Sequence, residues 1–131
     1  MKLLGIDFGL KNIGLATSEG FLAEPFKSLK VKDLEKTVKE IGLICQAEKI
    51  EKIVLGQTEG KLAPRIRGFK KKIEEKTSLP VFLQDETLST VEAKEKMIEM
   101  GKGREKRKLK EHQVAASLIL QDYLDLNSKK S

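Results

Sequence analysis

Residues 3–16, LLGIDFGLKNIGLA, decide the fold. KLLGIDF is an apolar run broken by a single carboxylate, Gly9 marks a turn, and NIGLATS is a second apolar run, so the stretch predicts two buried strands joined as a hairpin. Asp7 then stands at the carboxyl end of the first strand. A carboxylate there has two readings. It caps the Gly9 turn, because Asp bonds its own backbone two residues on, or it faces a ligand beyond the strand end.

Downstream, FLAEPFKSLKV predicts a third strand at a sheet edge, where Pro25, which cannot donate to a ladder, is best tolerated. Asp33 is a helix N-cap, and Leu34, Val38, Ile41 and Cys45 form one apolar stripe at helical spacing. KIVLG from Lys52 predicts a buried strand, Ala63 to Lys76 a helix, and PVFLQ from Pro80 another strand. Ser89 with Glu92 makes a capping box for a helix reaching Met100, ended by Gly101. A mobile basic loop is expected next, then a last helix over about 111–124, apolar nearly all round at VAASLIL as suits central packing on a sheet. The order is that of a hairpin-led mixed sheet covered by helices, in one domain spanning residues 1–131.

With 39% hydrophobic and 35% charged residues, the chain has the balance of a folded domain rather than a disordered one. Asp7 and Lys11 interrupt the N-terminal apolar stretch, which excludes a signal-peptide layout, and VAASLIL is too short to span a bilayer. A cytoplasmic protein without membrane contact is expected. Cys45 is the single cysteine, so neither an internal disulfide nor a Cys-based zinc site is available, and it reads as a small apolar helix residue.

The net charge of +6 is concentrated. KLAPRIRGFKKK (61–72) holds six basic residues and no acid, and GKGREKRKLK (101–110) holds six and one acid; together they carry +11, leaving −5 elsewhere. Two basic patches on an otherwise acidic chain suit a polyanion-binding face, against the plainer reading of a solvated helix and a loop. Lys61, Arg65, Arg67, Lys102, Arg104, Lys106, Arg107 and Lys108 would contact a nucleic-acid backbone. Lys11, in the first hairpin, either contacts a phosphate or is an exposed turn lysine. One Tyr, no Trp and five Phe argue against a base-stacking platform.

QDETLST places Asp85 and Glu86 just past the last strand. Taken alone, the pair is an ordinary charged loop before the Ser89 cap. Together with Asp7, carboxylates from separate elements would meet at one sheet edge, where their repulsion calls for a divalent cation, Mg²⁺ or Mn²⁺ by the oxygen donor set.

GIDFGLKNIGLA, QDETLSTVEA and VAASLILQDYL, in this order over essentially the whole chain, resemble the YqgF family, also called RuvX-like, described as pre-16S rRNA nucleases and formerly as Holliday junction resolvases. The resemblance implies an α/β, ribonuclease H-like fold: a five-stranded mixed sheet with helices on both faces and the first three strands antiparallel. It implies metal-dependent phosphodiester hydrolysis, of the two-metal type, in processing the 5′ end of pre-16S rRNA. Asp7 and Glu86 would be direct metal ligands and Asp85 a ligand or a support to one, with Gly9, Ser89 and Thr90 supporting the site. Structured RNA is the implied partner and branched DNA the alternative; a monomer or weak homodimer is expected, since no strong apolar stripe is left for a dimer. GIDFGLKN also resembles the phosphate loop of actin-like ATPases, but those need two lobes and this chain holds one.

Two departures bear on activity. The family opens its last helix with D-x-x-A-A, whereas this chain has HQVAA, so His112 stands where a third carboxylate belongs. Its helical spacing to Ala115, Ala116, Ile119 and Tyr123 turns it toward the sheet. It is a metal-binding or proton-transfer residue, or simply a satisfied core histidine. A neutral imidazole suits Mn²⁺ better than Mg²⁺. A nucleic-acid-binding module without catalysis is therefore a further alternative. The second departure is GQTEGKLAPR (56–65), where Gln57 and Thr58 replace an apolar-proline pair.

Overall fold

The computed structural model describes residues 1–58, 60–85 and 104–128, the side chains of 104–109 and 128 excepted. The strands are β1 (Leu3–Asp7), β2 (Asn12–Ser18), β3 (Ala23–Lys30), β4 (Lys52–Gln57) and β5 (Val81–Asp85). The helices are α1 (Leu34–Ala47), α2 (Ala63–Thr77) and α3 (Arg104–Ser128). The five strands form one sheet in the order β3-β2-β1-β4-β5. β1–β2 and β2–β3 pair antiparallel, β1–β4 and β4–β5 parallel.

β3 is the edge strand that Pro25 predicts, and its register shifts where Ala16 meets Pro25. The Asp33 carboxylate accepts from the Glu35 amide at 3.0 Å, so the helix starts where the capping residue calls for it. Along α1, Val38, Ile41 and Cys45 are buried. Burial pushes the Cys45 thiol up to about 11, which keeps it protonated and unreactive at neutral pH.

Alternation along β1 divides the core. Leu4 and Ile6 join Ile53, Leu55, Val38, Ile41, Ile66, Phe69 and Ile73 in a large cluster under α1 and α2. Leu3 joins Ala16, Val54, Ala116, Ile119 and Leu120 in a small cluster under α3. The helices therefore cover both faces. α3 lies very close to the sheet, because a side chain at Gly14 would start 1.9 Å from the His112 carbonyl oxygen. Only a residue without Cβ allows that approach.

The expected loop over 101–110 needs correction: α3 is already helical at Arg104, and residues 101–103 lie outside the described residues. After Gly103 the segment REKRKLKE contains only residues that tolerate a helix well, and its charge does not offset that preference. The capping-box helix from Ser89 to Met100 also lies outside the described residues.

Candidate active site

Asp7 is the last residue of β1 and pairs with Gly14 of β2. It is 5% exposed, a carboxylate buried on the α3 face. Gly14 lets the α3 backbone rest on β2 at His112, and from there the imidazole reaches across: His112 Nδ1 lies 3.1 Å from Asp7 Oδ2. The position of one side chain thus follows from the absence of another. Ala115, Ala116 and Ile119 are fully buried beside it, as the helical spacing predicts for this face.

Facing an ionised carboxylate, which only accepts, Nδ1 would be the hydrogen-bond donor of this contact. In the neutral ring, Nε2 is then left with its lone pair. The His112 side chain is 26% exposed and that of Asp7 7%, so the imidazole forms the solvent side of the pair. Among the described residues, this is the single hydrogen bond made to the Asp7 carboxylate. A buried carboxylate at a strand end, with one hydrogen bond to it among the described residues, suits a cation. Asp7 supplies a hard oxygen donor, while His112 Nε2, on the far side of the ring from Nδ1, points away from it. Among the described residues no group of three His, Cys, Asp or Glu gathers that could hold a metal ion.

Asp85 ends β5, and Gln57 lies between it and the β1 side of the sheet. Val81 belongs to the large cluster and Leu83 packs against it. Strand alternation therefore places Asp85 in their row, on the α1–α2 face, while Asp7 faces α3. The structure brings Asp7 and His112 together and leaves Asp85 on the other side. Glu86, Ser89, Thr90 and Lys102 lie outside the described residues.

The basic residues gather at the edge where β1 ends. Lys11 is exposed in the β1–β2 turn beside Gly9. β4 runs parallel to β1, so its exit, with exposed Lys61 and the first turns of α2 carrying exposed Arg65 and Arg67, opens on the same edge. α3 runs the opposite way, with His112 beside Asp7 and Leu120 beside Gly5. Its first turns, bearing Arg104, Lys106, Arg107 and Lys108, therefore extend about 12 Å beyond His112 past that edge. α2 and α3 also direct the positive ends of their dipoles there.

Two features were absent from the sequence reading. One is the row assignment of Asp85, which the alternation of Val81 and Leu83 carries. The other is Gly14 as the seat of α3, for which the signal is a lone glycine inside a strand pattern.

Residues 1–126 match the RuvX family, described as Holliday junction resolvase. The chain belongs to the RuvX family. A Clostridium kluyveri relative named "Putative pre-16S rRNA nuclease" is 39% identical over 137 residues, covering 98% of this chain and 100% of that protein. Among solved structures, the fowlpox virus Holliday junction resolvase superposes with a TM-score of 0.61 at 15% identity, over 95% of this chain and 99% of that one. RuvC from T. thermophilus, solved with a Holliday junction substrate, gives 0.59 at 17% identity over 91% and 92%. The RuvX chain thus has the ribonuclease H-like fold that the resemblance implies.

Proposed function

We propose that this RuvX chain is a metal-dependent nuclease that trims the 5′ end of precursor 16S rRNA. The observation that carries the reading is the buried Asp7 carboxylate at the end of β1, held by His112 at the edge where the basic segments converge. The names of its relatives support the same substrate.

Asp7 and Glu86 would hold the metal, and Asp85, in the row of Val81 and Leu83, would support the site rather than bind beside Asp7. Divalent cations, when bound, would supply an activated water and stabilise the leaving oxygen. The chain's own part is positional. Lys11, Lys61, Arg65, Arg67 and the start of α3 hold the phosphate backbone, with affinity falling as salt rises. His112 would orient the Asp7 carboxylate by its Nδ1 hydrogen bond.

The test is cleavage of a structured precursor 16S rRNA in Mn²⁺ and in Mg²⁺, with a four-way DNA junction as competitor. Removing a carboxylate that holds the ion forfeits several kcal/mol, so Asp7→Asn should cut about 10³-fold slower. His112→Asp should shift the preference toward Mg²⁺. A second reading, a nucleic-acid-binding module without catalysis, is favoured by His112 itself. RNA binding without cutting, with cutting restored in His112→Asp, would establish it. Preferred cutting of the junction would point to resolution of branched DNA.

A further inference from the structure

Away from Asp7, a cavity of about 390 Å³ opens between the C-terminal ends of α1 and α2, at the opposite edge of the sheet. Its rim carries Lys39, Lys49 and Lys76, and its apolar lining includes Leu43, Ile50 and Leu79. Among the described residues no carboxylate and no aromatic ring lines it, and none of the three lysines makes an ion pair. Leu43 is 60% exposed in the middle of α1.

One feature makes room in the groove at some expense to α1. Gly42 is a poor residue for a helix interior, yet a Cβ there would lie 3.2 Å from the Lys76 stem, so the glycine makes room for that lysine along the groove wall. Lys49 closes α1 in a left-handed conformation, φ 57°, with the next amide, Ile50 N–H, donating to the Cys45 carbonyl at 2.9 Å. Lysines near helix C-termini do complement the helix dipole, but that role requires neither an open cavity nor Lys39 in the middle of α1.

We propose that this groove docks an acidic segment of a partner protein, its carboxylates on Lys39, Lys49 and Lys76 and one apolar side chain against Leu43, Ile50 and Leu79. Unpaired positive charge around an apolar floor is complementary to that chemistry. Nucleic acid fits less well: its backbone offers no apolar anchor, and the groove has no ring on which a base could stack.

The probe is the capped hexapeptide Asp-Glu-Leu-Phe-Glu-Asp, titrated into the ¹⁵N-labelled full chain up to about 1 mM, the weak end of specific recognition. Saturable amide shifts are expected over residues 39–50 and 76–79. Lys49→Glu with Lys76→Glu, or Ser in place of the peptide's Leu and Phe, should each weaken binding about ten-fold. Lys39→Glu, at an exposed position that forms no helix end, repeats the test should the double variant fail to fold. Absence of shifts in the groove, equal binding of the apolar-free peptide, or a uridine octamer shifting the same amides more strongly would each overturn the proposal.

Discussion

On its α1–α2 face the sheet presents Leu4, Ile6, Ile53 and Leu55 to Ile41, Ile66, Phe69 and Ile73, all essentially removed from solvent. On the other face β1 presents Leu3 to Ala116, Ile119 and Leu120 of α3, and Asp7 with Gly14 of β2 meets α3 at His112. Burying a large aliphatic side chain contributes about 1.5–3 kcal/mol, so the first face supplies most of the stability. The second gives up side-chain volume and thereby lets a helix backbone reach the sheet, which carries His112 to a buried carboxylate. One face holds the fold together, and the other uses the rigidity so provided to keep a charged group in place.

Substitutions that separate stability from chemistry sharpen this contrast. The largest stability effect is expected at Ile73, fully buried in the large cluster. Ile73→Ala should lower unfolding free energy by about 2–5 kcal/mol, read by denaturant melts, while cleavage per folded molecule at low temperature stays unchanged. Gly14→Ala should act differently. Its Cβ would fall 1.9 Å from the His112 carbonyl oxygen, a backbone atom that cannot swing aside. We expect a smaller loss of about 1–3 kcal/mol, accompanied by a fall in cleavage of about 10² because His112 is carried away from Asp7. Equal effects of both substitutions on stability and on cleavage would erase the division between the faces.

Much of this architecture is legible in the sequence because local signals agree with one another. The GIDFG turn, the Asp33 cap, the α1 stripe and edge Pro25 each fix an element, and each is found in place. His112 was readable too, because its helical spacing to Ala115, Ala116 and Ile119 turns it toward the sheet. What the sequence reading lost depends on competition or on tertiary geometry. In the segment from Arg104, glycines upstream and dense charge suggested a loop, but helix propensity prevailed. That Asp7 and Asp85 both end strands groups them in the sequence, and the two-residue repeat of β5, which sets Asp85 in the row of Val81 and Leu83, becomes informative only once the cluster those residues join is known. The groove between α1 and α2 has no local signature, since it exists only where two helix ends meet.

The most direct test of a metal centre at the Asp7–His112 pair is paramagnetic broadening of the ¹⁵N-labelled chain by substoichiometric Mn²⁺. Broadening centred on Asp7, Phe8, Gly9 and His112, and abolished in Asp7→Asn, is the predicted result. Broadening centred on other carboxylates, or unchanged in Asp7→Asn, would contradict it.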